Sequence, residues 1–97
     1  MYVVIRTYSG EDAKQVFDLI EQRFEEIKQL IGDVPGFVSY TAFRSGDGGT
    51  TLTVCRDKEG TDQSTSVAAK WVLENVDTTP PVPHIEEGSS VAHFSVG

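Results

Sequence analysis

Two alternating stretches of the chain, residues 37–45 and 50–57, predict a central β-hairpin. Both are rich in β-branched and aromatic side chains, which favour extended structure. The run Ser-Gly-Asp-Gly-Gly between them supplies glycines that tolerate the positive φ angles of a tight turn. Because successive side chains of a strand point to opposite faces, one face of the first arm is expected to carry Phe37, Ser39, Thr41 and Phe43.

A helical pattern lies on each side of this hairpin. Apolar residues recur at steps of three and four across residues 11–31, which predicts one long helix with Ser9 as its N-cap. Its buried stripe is expected to comprise Ala13, Val16, Phe17, Ile20, Phe24, Ile27 and Ile31. A second helix, shorter and more polar, is predicted from about Gly60 to Val76. Its stripe comprises Ser64, Val67, Ala68, Trp71 and Val72.

Strand patterns lie at both ends of the chain. Residues 2–8 are largely apolar on both faces, apart from Arg6, which predicts a central strand covered on two sides. Residues 91–96 alternate and predict the last strand, with Ala92, Phe94 and Val96 on one face. The prolines of residues 80–83 exclude regular helix before it and favour an extended chain. Gly88 is expected to form a turn.

The resulting order β-α-β-β-α-β predicts one α+β domain over residues 1–97 with a ferredoxin-like fold. Its antiparallel sheet of four strands carries both helices on one face. The aromatic residues of the hairpin cannot all lie under those helices, because neighbouring side chains point oppositely. A bare apolar sheet face promotes aggregation, so we expect a homodimer formed through this face.

Composition excludes several classes of partner. The formal net charge is −7 and the eight Lys and Arg residues are dispersed, which argues against binding to nucleic acid or to anionic membranes. The single cysteine, Cys55, forms no internal disulfide, and we expect it to be an inert thiol. The start of the sequence lacks the pattern of a signal peptide, and no apolar run reaches the roughly 18 residues of a membrane span. A soluble cytoplasmic protein is therefore expected.

The strand opening Pro35-Gly36-Phe37 after a long helix, together with this order of elements, resembles the dimeric α+β barrel superfamily. The closest similarity is to antibiotic-biosynthesis-monooxygenase-like domains, and within them to small uncharacterised members. Trp71 on the second helix, the run Pro80-Pro81-Val82-Pro83 and the pair Glu87-Gly88 are similar to those members. The resemblance covers essentially the whole chain.

The resemblance implies a pocket between helices and sheet, and activities that include cofactor-free monooxygenation of quinols and polyphenols. It also implies heme degradation, but those relatives carry an asparagine on the first strand and a histidine on the second helix. This chain has Arg6 and Thr7 on the first strand, and its nearest histidine, His84, lies beyond the helix. Heme degradation is therefore disfavoured, and no cofactor and no metal are expected.

Four residues are candidates for the site, and each has a structural alternative. Trp71 is a substrate platform or a core residue, and Tyr40 is a hydrogen-bond donor or a core residue. His84 is a proton acceptor on a pocket lid or an exposed loop residue. Arg6 lies in an apolar strand and must be paired or reach solvent, so it binds an anionic substrate or pairs with an acidic side chain across the dimer.

Two functional hypotheses follow. In the first, the protein is a cofactor-independent monooxygenase that binds a planar aromatic molecule of quinol or polyphenol type. In the second, it is a non-catalytic dimeric protein that binds a ligand or is associated with stress. The retained Trp71 favours the first hypothesis, and the absence of the histidine and asparagine of the relatives favours the second.

Overall fold

The computed structural model describes residues 1–96 and contains seven regular elements. They are β1 (Tyr2–Tyr8), α1 (Glu11–Gln22), α2 (Phe24–Gly32), β2 (Phe37–Ser45), β3 (Gly48–Cys55), α3 (Lys58–Asn75) and β4 (His84–Ser89). The strands form one sheet in the order β2-β3-β1-β4, and all neighbours are antiparallel. The predicted ferredoxin-like fold is confirmed.

The helices cover one face of the sheet, as the burial of alternate residues of β1 shows. Val4, Arg6 and Tyr8 alternate along this central strand and are all buried, whereas Val3 and Ile5 on the opposite face are only half-buried. The main core is formed by Tyr8, Ala13, Val16, Phe17, Ile27, Ile31, Trp71 and Val72. The other face has no cover within one chain, and it carries Ile5, Leu52 and Thr41 in register across three strands.

The prediction of a single helix over residues 11–31 was wrong, because the helix is interrupted at Arg23. Arg23 has φ −119° and ψ 40°, which interrupts the helical backbone between α1 and α2. The break turns Phe24 outward, so this residue is 58% exposed instead of joining the buried stripe. The Ser9 cap was also wrong, since Gly10 is the N-cap of α1 and no side chain caps this end.

A β-bulge near the start of β2 changes which residues face the helices. The register with β3 shifts between Phe37 and Ser39, so strict alternation fails there. As a result Phe37, Tyr40 and Ala42 all pack against the core, although Phe37 was expected on the opposite face from the other two. Phe43 remains on the uncovered face and is 55% exposed.

The last strand was predicted in the wrong place. The fourth strand of the sheet is His84–Ser89, which pairs with β1 so that Arg6 opposes Ile85 and Val3 opposes Gly88. Gly88 therefore lies inside a strand instead of forming a turn. Residues 91–96 form no strand, and Val91, Phe94 and Val96 are almost fully exposed. The pattern failed because β4 is an edge strand of mostly polar residues, whereas the alternating residues 91–96 pair with no strand of the described residues 1–96.

Candidate functional site around Arg6

The guanidinium of Arg6 is buried among hydroxyl groups. Arg6 is 1% exposed, and its nitrogens donate to hydroxyl oxygens on β3 and α3. Nε donates to Thr51 at 3.2 Å, Nη2 to Thr53 at 2.9 Å, and Nη1 to Ser64 at 3.4 Å and Thr65 at 2.9 Å. No carboxylate within residues 1–96 forms an ion pair with it.

Such a charge is expensive to bury, because hydroxyl dipoles solvate a cation without neutralising it. Desolvation lowers the pKa of Arg6 from its ordinary value, and the nearby phenols of Tyr8 and Tyr40 oppose this shift. Arginine nevertheless stays protonated in proteins. The interior therefore presents an unneutralised positive charge, which is the electrostatic condition for binding an anion.

Arg6 lines a small space, which we call the inner cavity. Its volume is about 20 Å³, enough for one water molecule or for one oxygen of a ligand. Tyr8, Tyr40 and Trp71 also line it, together with apolar residues of α1, α2 and α3. Burial raises the pKa of Tyr8 and raises that of Tyr40 to about 12, while Arg6 opposes both shifts. Both phenols are therefore neutral hydrogen-bonding groups at physiological pH.

A much larger cleft, which we call the helix groove, opens beside the inner cavity between α1, α2 and β2. Its volume is about 850 Å³, within the range of small-molecule sites. The exposed ring of Phe24 lines it, as do Phe37, Ala42 and, at the rim, Glu21 and Lys28. The helix groove and the inner cavity share Ile20, Ile27, Ile31 and Tyr40 as lining residues. These four side chains thus border both the groove and the space beside Arg6.

Trp71 is held rigidly at the wall of the inner cavity. Its indole Nε1 donates to Glu26 Oε2 at 2.5 Å. The guanidinium of Arg23 lies 5.7 Å from the ring centroid, where cation–π attraction operates, and it also pairs with Glu26 at 3.2 Å. The break at Arg23 thus places that residue against α3, and Trp71 serves at once as a core residue and as part of the cavity wall.

The structure brings three of the four candidate residues together. Arg6, Tyr40 and Trp71 all line the inner cavity. His84 does not, because it lies on β4 opposite Thr7, with a side chain 75% exposed and its Nε2 3.3 Å from Glu86. Its role as a proton acceptor stays a prediction, and in this structure His84 does not line the inner cavity.

The sequence interpretation missed the hydroxyl cluster around Arg6. Thr51 and Thr53 alternate on β3, and Ser64 occupies the inward stripe of α3, where apolar residues are the rule. Hydroxyl residues at such inward positions were a usable sign that a buried polar group lies opposite them. In the described part of the chain no group of His, Cys, Asp and Glu side chains is arranged to hold a metal ion.

Comparison with solved structures shows the fold in several other proteins. A mutant of the protein MhuD, with two manganese protoporphyrin IX molecules bound per active site, shares 16% identity with this chain. Its TM-score is 0.67, with 99% of this chain and 100% of that chain covered. A monooxygenase from Streptomyces coelicolor in complex with nanaomycin D shares 17% identity. Its TM-score is 0.62, with 99% and 92% covered.

A dimeric ferredoxin-like protein from an uncultured marine organism shares 14% identity with a TM-score of 0.62, covering 98% of this chain and 96% of that chain. No protein-family model and no curated protein matches the sequence. Identities this low show the fold. These structures confirm the ferredoxin-like fold, and a monooxygenase is among the proteins that share it. No helix of residues 1–96 is long and apolar enough to cross a membrane.

Proposed function

We propose that this protein binds a planar phenolic or quinol-type molecule in the helix groove and acts on it as a cofactor-independent monooxygenase. The observation that carries the proposal is the buried charge of Arg6, which has no carboxylate partner within residues 1–96 and lines the inner cavity that borders an apolar groove. In this assignment Arg6 anchors the ionised oxygen of the ligand, Tyr40 donates a hydrogen bond to it, and Trp71 forms the wall against which the ring packs.

The shape and chemistry of the helix groove favour an aromatic ligand. Phe24 and Phe37 on opposite walls offer faces for stacking, and Ile20, Ile27 and Ile31 form an apolar floor. A ligand in the helix groove contacts Tyr40, which lines both spaces, whereas Arg6 lines the inner cavity and not the groove. Its rings therefore remain in the groove while one polar oxygen points toward the inner cavity.

Arg6 supplies the electrostatic part of the reaction. A phenol next to a desolvated cation has a lowered pKa, because the phenolate gains the attraction that the neutral form lacks. An electron-rich phenolate reacts with O₂ directly when the site orients it and excludes water. One oxygen atom enters the substrate and the other leaves as water with the two hydrogens that the substrate loses. The substrate thus provides all the electrons, and the protein provides position and charge.

The proposal includes a homodimer formed through the uncovered sheet face. Phe43 lies on that face, and Ile5 and Leu52 are only half-buried there within one chain. The apolar residues of segment 91–96 are likewise exposed in the single chain. The dimeric ferredoxin-like neighbour supports this assembly.

The alternative function is ligand binding without turnover, and one observation favours it. No histidine lines the inner cavity or the helix groove, and the pKa values of both cavity tyrosines are raised, so neither phenol is a strong proton acceptor at neutral pH. In a pure binding protein, the same groove and the same Arg6 would retain the anion of an aromatic molecule unchanged.

Oxygen uptake separates the two functions. A panel of dihydroxynaphthalenes and other quinols is added to the protein in an oxygen electrode, with spontaneous oxidation subtracted. The monooxygenase hypothesis predicts catalysed uptake that Arg6→Met and Phe24→Glu reduce at least tenfold, and that His84→Ala leaves unchanged. Binding without uptake across the panel would support the alternative. Loss of activity in His84→Ala alone would restore the catalytic role expected for that residue.

A further inference from the structure

Arg6 also lines a second cleft, which shares no lining residue with the helix groove. This cleft lies between α3 and the proline-rich segment Pro80–Pro83, and we call it the strap groove. Its volume is about 310 Å³. Its lining residues are Arg6, Tyr8, Thr65, Ala69, Val72, Leu73, Pro80, Pro81, Val82, Pro83 and Ile85. Arg6, Tyr8 and Val72 also line the inner cavity and so form the partition between the two spaces.

The strap groove presents an apolar channel with a polar end. Its walls are aliphatic and proline side chains, and Leu73 and Ile85 are exposed there. Of the four hydroxyls bonded to Arg6, only that of Thr65 lines this groove, whereas that of Thr51 lines the inner cavity. Thr65 Oγ1 accepts from Nη1 of Arg6, which leaves its own proton free to be donated outward.

We propose that the strap groove binds a small amphipathic carboxylic acid, with its carboxylate at Arg6 and Thr65 and its hydrocarbon part against the segment Pro80–Pro83. Charge complementarity carries the assignment, because Arg6 forms no ion pair with a carboxylate of residues 1–96 and a buried guanidinium attracts an anion. A phosphate dianion requires more donors than this end offers. A ligand chain would cover Leu73 and Ile85. The prolines favour an extended segment Pro80–Pro83 before the ligand arrives, which lowers the entropy cost of binding.

This inference does not depend on the function proposed for the helix groove. The two sites share Arg6, but each has an exposed apolar residue of its own on a helix: Leu73 for the strap groove and Phe24 for the helix groove. Substitution of either residue by glutamate places a negative charge at one entrance. Because both side chains are exposed, neither change removes a core contact.

The test is an NMR titration of isotopically labelled protein with octanoate, and with octanol as the uncharged control. We expect amide shifts confined to residues 65–73 and to Val82, His84 and Ile85, because the prolines of the segment have no amide proton. Affinity should be at least tenfold higher for octanoate than for octanol. Thr65→Val should weaken octanoate binding about fivefold, Leu73→Glu should abolish it, and Phe24→Glu should leave it unchanged.

Three results would overturn the inference: equal binding of octanol and octanoate, octanoate shifts that map to α2 and β2, and no shifts at millimolar octanoate. Each is independent of oxygen uptake by quinols, so failure at the strap groove leaves the proposed function intact. Conversely, quinol oxidation that is absent while octanoate binds as described would refute only the proposed function. Retained secondary structure in the circular dichroism spectrum of Leu73→Glu checks that the loss of binding is local.

Discussion

The indole nitrogen of Trp71 on α3 donates a hydrogen bond to the carboxylate of Glu26 on α2, 2.5 Å away. This bond joins two helices through residues that are 45 positions apart in sequence. It also holds the ring that forms part of the wall of the inner cavity. Trp71 is 7% exposed, so its N–H has little access to water as a substitute partner.

Removal of the acceptor should therefore loosen this wall. We expect Glu26→Ala to lower the free energy of unfolding by about 1–3 kcal/mol, because a buried donor loses a charged partner. Glu26→Gln retains an acceptor oxygen and should cost less. Urea unfolding followed by tryptophan fluorescence measures both. Equal stability of Glu26→Ala and the parent protein would show that the bond contributes nothing.

The hydroxyl shell of Arg6 should be coupled to the charge it surrounds. Thr53 is fully buried and accepts from Nη2 of Arg6 at 2.9 Å, so Thr53→Val should destabilise the fold by about 2 kcal/mol. In the background of Arg6→Met the same change should cost little, because no cation remains to be solvated. Arg6→Met alone should be tolerated, since it removes an unneutralised buried charge.

A double-mutant cycle measured by urea unfolding gives the coupling energy directly. Additive effects of Arg6→Met and Thr53→Val would contradict the account of this shell. A large destabilisation by Arg6→Met alone would show that Arg6 serves the stability of the fold, which would contradict its assignment as a ligand anchor.

Alkaline pH should weaken the fold through Tyr40. Burial raises the pKa of Tyr40 from 10.0 to about 12, against the opposing charge of Arg6. The folded chain therefore retains a proton that the unfolded chain releases, and stability falls as pH rises through this interval. The loss should be on the order of 2 kcal/mol by the upper end, and it is absent below the pKa of the unfolded chain. Tyr8, whose pKa is also raised by burial, adds a loss of the same sign.

Urea unfolding at pH values on either side of this interval measures the effect. Tyr40→Phe has no phenol to titrate, so its stability should fall less steeply over the same range. The prediction fails if Tyr40→Phe and the parent protein lose stability equally.

The uncovered sheet face provides a test of assembly. Phe43 and Leu52 lie on this face, away from the helix groove and the strap groove. We expect the parent protein to sediment at about twice the chain mass of 10.6 kDa, and the double change Phe43→Glu and Leu52→Glu to sediment as a monomer. As a control, Leu73→Glu adds one glutamate on the helical side and should remain dimeric. A monomeric parent protein at micromolar concentration would refute the dimer.

The fold was largely predictable from sequence because it depends on local periodicity. Apolar spacing identified the helical regions, and alternation around the glycine turn identified the hairpin. The failures were at positions where the pattern and the contacts diverge. The edge strand β4 is mostly polar and pairs with β1, with Ile85 opposite Arg6 and Gly88 opposite Val3. Residues 91–96 alternate but pair with no strand of the described residues. The apolar pattern also gave no sign of the break at Arg23.

The candidate site was predictable only in part, for a physical reason. Arg6, Tyr40 and Trp71 were singled out because each is unusual within its own element, and the inner cavity brings them together. The partners that decide the character of Arg6 lie 45 to 59 positions away. Their roles depend on the pairing of β1 with β3 and on the packing of α3, which no local pattern encodes. His84 was chosen for its chemistry alone, and its strand carries it away from the cavity.

We propose that Arg6 is a buried anchor for the anion of an aromatic ligand in the helix groove. The most direct measurement is the affinity of a hydroxynaphthoquinone, in its anionic form, for the parent protein, Arg6→Met and Phe24→Glu by isothermal titration calorimetry. We predict binding to the parent protein and at least tenfold weaker binding to both variants, with Leu73→Glu unchanged. Equal affinity for the parent protein and Arg6→Met, or no binding to either at millimolar concentration, would contradict the claim.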